Sequence, residues 1–470
     1  KQVALPCFMT TLTTALGFMC LAVSKIPPIR EFAWAASAGM VFEFFFSFFF
    51  LPPLLLFFKP SKIYQDYNVH AGLTRMLHRS SNIVKSHNLA IAAFTIILTA
   101  GAVWYATKIE VETNLIEYFK IKSPIREATD FVETRLSGVS TFDVSLEAER
   151  ENAFKNPEQL LVIERIQNYL ETLEGVDKSI SFVDFLKDMN ESFHNENEEY
   201  FRIPASREMV AQYLLLYDSA EVEDYVNSSY DHARISVRIS EHSSLRQKEL
   251  IKEIKSFIAG IDQKNLDIRI TGRAVNEINI IDNLVNGQIL SLALAAMIIS
   301  IVMFFVFKSV SLAVLSMLPN FFPIVINFGL MGLFNIPLNT GTALIAAVAL
   351  GIAVDDTIHF LSEYRNQRFQ GMPVSKSLKS ATLIKGRAIL SSSLILSIGF
   401  GVTALSQFVP IVHFGLLTAI IMLTAVVGDL VVLPSFISLK KEKPGGERGV
   451  DAIFRRFGGR LNRMAMMGRR

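Results

Sequence analysis

The chain has 470 residues, 51% of them hydrophobic and 37 of them Phe, with a positive mean hydropathy, which excludes a soluble globular domain of ordinary composition. Its two cysteines, Cys7 and Cys20, share one apolar run, so neither a disulfide framework nor a cysteine metal site is available, and no cofactor is implied. The net charge of +2 is what remains of two opposed blocks: residues 108–285 carry 34 Asp/Glu against 21 Lys/Arg, and the rest carries 10 against 25. Those basic residues sit at the ends of apolar stretches and not on one face, which excludes nucleic acid as a partner.

In chain order, the sequence opens at Lys1 and is apolar almost at once, without an initiator Met or a signal-peptide n-region, so an upstream portion is expected. A spanning helix needs about 20 mostly apolar residues. Eight stretches qualify: 3–24, 32–58, 88–107, 286–307, 309–334, 338–361, 386–406 and 411–438. Short loops rich in Lys/Arg mark the cytoplasmic side. They are the 59–87 linker (Lys59, Lys62, Arg75, Arg79, Lys85), the turn at Lys308, the 362–387 loop and the tail from Lys440 to Arg463; they alternate with poor connections at 25–31, 335–337 and 407–410. The expected division is therefore the last two helices of a first membrane unit (1–58), a cytoplasmic linker (59–87), one transmembrane helix (88–107), an extracytoplasmic domain (108–285), a five-helix bundle (286–438) and a basic cytoplasmic tail (439–470).

Self-similarity supports two units. Residues 3–58 align without gaps on 385–440 at an offset of 382: Gly17-Phe18 falls on Gly399-Phe400, Pro28-Ile29 on Pro410-Ile411, and Leu51-Pro52 on Leu433-Pro434. Apolar matches between membrane helices arise easily, but a shared Gly, Pro, Pro frame over some fifty residues does not. The second unit reads as one helix, an outside domain and five helices, so a parent built of two like units has about twelve spans, the repeat construction common in secondary transporters.

Within 108–285 the pattern changes. Phe142–Glu147, Ala233–Ile239 and Leu266–Thr271 alternate as half-buried strands do, while 160–173 and 245–261 have helical spacing. Strand–helix–strand, repeated, predicts a split βαβ, ferredoxin-like α+β domain. The polar stretch 188–231 reads as loop or irregular helix. No nucleophile–base pair, phosphate loop or histidine cluster is present; His194, His232 and His242 are scattered and read as surface histidines, not a metal site.

Four acids lie within predicted spans: Glu43, Asp355, Asp356 and Asp429. A carboxylate at the centre of a span costs about 2.5–3.5 kcal/mol on insertion scales, so such residues usually have a role. Asp355 and Asp356 are adjacent and therefore point about 100° apart; in a low dielectric the two cannot readily both stay ionised. That suits a proton carrier. His359, four residues on, shares the face of Asp355, and Ser391, Ser392, Ser393 and Thr403 on the next helix are candidates to hydrogen-bond the pair. Asp429 and Glu43 have no acidic counterpart in the repeat (Ser47 and Ala425 stand there) and rank below the pair. A purely structural pair, bonding a neighbouring helix, is the competing reading.

Gly351-Ile-Ala-Val-Asp-Asp-Thr-Ile-His-Phe360, followed by Glu363-Tyr-Arg, resembles the signature of the resistance–nodulation–division (RND) superfamily, and within it the MMPL-type exporters that include hopanoid transporters; Patched and the sterol-sensing proteins are more distantly similar. The resemblance covers span order, outside domain, repeat and the Leu-Pro ends at 51–52 and 433–434. It implies a secondary active transporter, not an enzyme: an inner-membrane, multi-pass exporter of lipidic or hydrophobic compounds driven by the proton-motive force. Its outside region would be a porter domain, and Asp355 and Asp356 would be the relay acids of the second half. A homo-oligomer or a periplasmic protein is the partner such exporters imply. A sterol-sensing-like lipid-binding protein and a SecDF-like export accessory share the fold and are the alternatives; the acidic doublet favours the exporter.

Overall fold

In a computed structural model the described residues are 4–57, 71–216, 222–263 and 265–439. The tail from Lys440, most of the linker's first half with Lys59 and Lys62, and residues 217–221 and 264 lie outside them. The helices are α1 (Ala4–Met19), α2 (Pro27–Phe45), α3 (Leu51–Phe57), α4 (Ala71–Ala106), α5 (Pro124–Arg135), α6 (Pro157–Leu170), α7 (Phe182–Ser192), α8 (Arg207–Leu216), α9 (Ser244–Gly260), α10 (Arg273–Phe307), α11 (Val310–Leu333), α12 (Thr340–Phe369), α13 (Val374–Val402), α14 (Val409–Val427) and α15 (Leu433–Leu439). The strands are β1 (Ser140–Ala148), β2 (Val176–Ile180), β3 (His232–Ile239) and β4 (Leu266–Thr271).

Seven helices among the described residues are long and apolar enough to cross a membrane: Pro27–Phe57, Gly72–Ala106, Arg273–Phe307, Val310–Leu333, Thr340–Phe369, Val374–Leu405 and Val409–Leu439. The first of the eight expected stretches forms a shorter apolar helix, Cys7–Val23. The chain is a multi-pass membrane protein. Helix α4 begins well before its expected span: residues 71–86 are already helical, and His87, with φ −130° and ψ 29°, kinks the helix where the apolar stretch starts.

The repeat seen in the sequence is reproduced element by element. Pro27–Phe45, a π-helical turn at Phe46–Phe50 and Leu51–Phe57 recur as Val409–Val427, a π-helical turn at Gly428–Val432 and Leu433–Leu439, every boundary displaced by 382. Small residues set the helix crossings, since with lipid outside, close backbone packing replaces the hydrophobic drive. A Cβ on Gly332 would lie 1.9 Å from the Tyr105 carbonyl oxygen, and one on Gly329 2.6 Å from Ala102, so α11 and α4 meet backbone to backbone.

The polar block folds around a four-stranded antiparallel sheet in the order β2-β3-β1-β4. Phe142, Val144 and Leu146 of β1 and Ala233, Ile235, Val237 and Ile239 of β3 are buried on one face, against Leu160, Ile163, Ile166 and Leu170 of α6 and Ile251, Ile254 and Ile258 of α9. The two helices lie side by side, the rings of Tyr169 and Phe257 stacking at 3.7 Å. The three expected strands are present, and β2 is a fourth that alternation does not reveal, because this edge strand is short and carries Asp177 and Lys178. Inside 188–231 lie a three-ten turn (Glu198–Tyr200) and α8, so that stretch is partly regular. His194 bonds the Asn190 carbonyl and stacks on Tyr200, His232 pairs with Asp231 and Glu147, and His242 with Glu133.

Domain and bundle are joined by more than chain connections. Helix α10 has 35 residues, about 50 Å at 1.5 Å each, against a hydrocarbon layer of about 30 Å; its first turns place Ala274 and Ile278 in the domain core. The strand-like segment after α4 pairs Val111 with Leu338, just before α12: Leu338 N donates to Glu110 O (2.9 Å) and Glu112 N to Leu338 O (3.3 Å). It also accepts Val409 N at Tyr118 O (2.8 Å), at the start of α14.

Candidate functional site in the membrane bundle

Helix α12 positions the acids. Its N-terminus is fixed by Asn339, whose Oδ1 accepts from the N–H groups of Gly341 and Thr342 at 3.0 Å each, while the Thr342 hydroxyl oxygen accepts from Asn339 N at 2.8 Å. From Thr342 to Gly351 it is built mainly of small residues and is almost wholly buried. Helix α1 crosses it there: the Thr14 hydroxyl donates to the Gly351 carbonyl (2.8 Å), and a Cβ on Gly17 would lie 3.3 Å from the Gly351 Cα.

Beyond that crossing, three consecutive side chains turn to three different neighbours. Asp355 points to the α1 side, beside Thr10 and with His359 Nε2 3.4 Å from its Oδ1; the two side chains are 46% and 27% exposed. Asp356 points to α13, where the Ser393 hydroxyl donates to its Oδ2 at 3.1 Å. Thr357 is fully buried and donates to Asp429 Oδ1 at 2.6 Å, with Asn320 Oδ1 of α11 at 3.4 Å. Asp429 sits inside the π-helical turn Gly428–Val432 and is itself buried. Among the described residues no Lys or Arg forms an ion pair with these three acids, and no group of three or more His, Cys, Asp or Glu is gathered as a metal site.

The π-helical turn has its own supports. Such a turn pairs a carbonyl with the N–H five residues on, as Gly428 O is with Leu433 N; in addition the Ser80 hydroxyl of α4 donates to Leu430 O (3.4 Å) and that of Ser435 to Val431 O (2.7 Å). Facing it, α11 carries Pro319 and Pro323. Pro323 has no N–H, so the Pro319 carbonyl lacks its helix donor, and that oxygen packs on Gly428, 2.9 Å from where a Cβ would stand.

Of the hydroxyls expected near the pair, Ser393 reaches it. Ser391 and Ser392 are exposed, Ser392 donating to Ala388 O and Ile389 O, and Thr403 lies in the turn at the far end of α13, donating to Phe400 O. The reason is rotational: one residue turns a helix by about 100°, so one serine of a triplet faces a given neighbour. Glu43 is exposed on α2 and accepts from Ser47 (2.8 Å), on the open side toward which Asp355 also points. Thr357 and Asn320 have no signal in the sequence, since a Thr and an Asn in an apolar run carry no motif. The available signal was Asp429 itself, the one acid in an otherwise apolar segment.

Comparison with known proteins matches residues 128–464 to a family model described as the MMPL family. A relative in Methanocaldococcus jannaschii, MJ1562, described as a membrane protein, is 20% identical over 380 residues, 78% of this chain and 95% of its own length. Among solved structures, the hedgehog release protein Disp from the water bear Hypsibius dujardini superposes with a TM-score of 0.63 at 12% identity, covering 93% of this chain and 58% of that one. A heavy metal efflux pump superposes with a TM-score of 0.58 at 12% identity, covering 93% and 57%. This chain therefore spans little more than half the length of the solved structures whose fold it shares.

Proposed function

The chain belongs to the MMPL family, and from that premise we propose that it is the coupling part of a secondary active exporter, driven by the proton-motive force, that moves lipidic or hydrophobic compounds. One observation carries the reading: α12 and the π-helical turn bring Asp355, Asp356 and Asp429 to one layer of the bundle, where among the described residues no Lys or Arg pairs with them and His359 alone lies beside Asp355. Unpaired ionised carboxylates in a hydrocarbon environment are costly, so these groups exchange protons or recruit cations during a cycle.

In this reading α1 completes eight spans, residues 108–285 form a ferredoxin-like porter domain outside the cytoplasm, and the basic ends of the helices face the cytoplasm. The sheet order β2-β3-β1-β4 with α6 and α9 on one face supports that assignment of the domain. A proton added to Asp355 or Asp356 removes charge from α12 and loosens its attachments to α1 and α13. The helix then shifts, and its N-terminal end takes the Val111–Leu338 pairing with it, so the domain moves when the acids change charge. A substrate of lipid character enters from the membrane, and H+ is the coupling ion.

The test is Asp355→Asn together with Asp356→Asn, assayed as efflux of a fluorescent acyl lipid from vesicles under an imposed pH gradient. The double variant is expected to fold, with an unchanged gel-filtration profile, and to lose the gradient-dependent part of efflux. Undiminished gradient-dependent efflux would remove the pair from the relay, and failure to insert would favour a structural role for it.

A further inference from the structure

The relay above needs Asp355 and Asp356; it assigns nothing to Asp429, although Asp429 is the most enclosed acid in the membrane bundle, 1% exposed. Its Oδ1 accepts from Thr357, while Oδ2 is buried and has no partner among the described residues. We propose that Asp429 is a third proton-binding acid of the transport cycle, taking its proton on Oδ2 while Thr357 holds Oδ1. This rests on the reading of Asp355 and Asp356 as proton carriers and extends it to a second helix.

Among the described residues the surroundings leave the carboxylate no other neutralising partner. Helix α12 brings Asp355, Asp356 and Thr357 to this layer; α11 brings Asn320 and has no ionisable residue anywhere along its length. Helix α4 turns Leu77, Ser80 and Val84 inward and keeps Arg75, His78, Arg79 and Lys85 exposed. On α14 and α15 the other titratable group is His413, sixteen residues away. An ionised Asp429 is thus an uncompensated charge in low dielectric.

A permanently protonated, merely structural acid fits no better. A buried carboxylic O–H is normally bonded to a fixed acceptor, and Oδ2 faces none. The polar groups nearest the site are instead those that can rearrange. Thr357 Oγ has three acceptors in reach: Asp429 Oδ1 at 2.6 Å, Asn320 Oδ1 at 3.4 Å and Ala353 O at 3.4 Å. With Asp429 ionised its oxygen is the strongest of these acceptors; once a proton from water has bonded to Oδ2 the carboxyl is neutral, and the hydroxyl is free to turn to Asn320. Release of the proton reverses both events. Thr357 adjoins Asp356, so the charge on Asp429 is reported directly to the helix that carries the pair.

On the two helices that flank the site, two further buried polar atoms have no partner among the described residues, Asn327 Oδ1 on α11 and Thr418 Oγ1 on α14, and in this proposal the proton enters past them. Asn327 is seven residues from Asn320 and Thr418 eleven from Asp429, spacings that keep each on the same helix face as its partner in the site. Both lie toward the membrane side that carries residues 108–285, the side at which α11 ends and α14 begins.

The test is a pH titration of the whole protein in lipid vesicles, read by infrared difference spectroscopy of the protonated-carboxyl band. Wild type is expected to show titrating carboxyls of which one is lost in Asp429→Asn and others in Asp355→Asn/Asp356→Asn. Thr357→Val should shift the frequency and midpoint of the Asp429 component, and Thr357→Ser should restore both, which a purely structural hydroxyl would not do selectively. If the titrating band of Asp429→Asn equals that of wild type, or if Thr357→Val leaves the band unmoved, the proposal fails while the pair can still titrate. If the Asp429 component titrates and the pair's does not, proton binding at Asp429 Oδ2 stands, while the reading of the pair falls and with it Asp429's place as a third acid.

Discussion

Neighbouring residues on one helix do different work here because rotation separates them. Asp355, Asp356 and Thr357 are consecutive, yet one faces α1, one α13 and one the π-helical turn. The acids were legible because a carboxyl in an apolar run is conspicuous. Their partners were not, because choosing Ser393 over Ser391 and Ser392 needs the rotation of α13 about its axis, which three adjacent serines do not reveal. The same dependence on neighbours governs charge in the outer domain. His232 lies between Asp231, 2.9 Å from Nδ1, and Glu147, 3.3 Å from Nε2; the hydrogen bond to Asp231 is the main cause that raises its pKa above the ordinary value, with the charge of Glu147 adding to it. A raised folded-state pKa means the contribution to stability is complete below the unfolded value, about 6.5, and disappears as pH rises through the folded value. His232→Gln should therefore lower the melting midpoint most below about pH 6.5 and progressively less above it. A gap between variant and wild type that widened with rising pH would contradict this. The pair is half-exposed, so the effect will be small and salt-sensitive.

At the scale of elements, the sequence predicted best what periodicity and punctuation encode. The Gly, Pro and Leu-Pro frame located the repeat, and the structure follows it to the residue; alternation located β1, β3 and β4. What could not be read was any element defined by hydrogen-bond pattern alone. The two π-helical turns have unrelated sequences, Phe-Ser-Phe-Phe-Phe and Gly-Asp-Leu-Val-Val, and share only their place in the repeat. Residues 71–86 form a helix that the basic content of the linker concealed, yet Leu77 and Ser80 from that helix hold Gly386 and Leu430 in place. Helix crossings are where sequence change should matter most. Gly332 and Gly329 let α11 meet the backbone of α4, so Gly332→Val must push the two helices apart. Overpacking of this kind costs about 1–3 kcal/mol or more, and the variant should lose several degrees of thermal stability in detergent. Gly399→Ala, where nothing lies within 4 Å, is the matched control and should be neutral; equal losses in both would show that the close crossing is not what holds α4 and α11 together.

At the scale of the whole molecule, the repeat compares two copies of one helix in different surroundings. In the second copy Gly428, Val432, Leu433 and Ile437 are buried, covered by α4 and α11. Their counterparts at the offset of 382 are Phe46, Phe50, Leu51 and Leu55, which are between 47% and 64% exposed. Lipid alone could cover such a face, since Phe and Leu suit hydrocarbon. The repeated π-helical turn argues otherwise, because in the second copy it makes a polar contact with the covering helix, the Ser80 hydroxyl donating to the Leu430 carbonyl, and lipid offers no such donor. The exposed face is then expected to be covered, in the assembled protein, by two helices standing to it as α4 and α11 stand to α14 and α15. Nitroxide labels placed one at a time at 46, 50 and 55, in the protein as its own cell assembles it, should collide with dissolved oxygen as rarely as a label at 437. A label at Ile395, on the outward face of α13 and 70% exposed, supplies the lipid-facing reference. If positions 46, 50 and 55 collide as often as 395 does, the face meets lipid, and the two copies of the repeat have diverged in packing as well as in their acids.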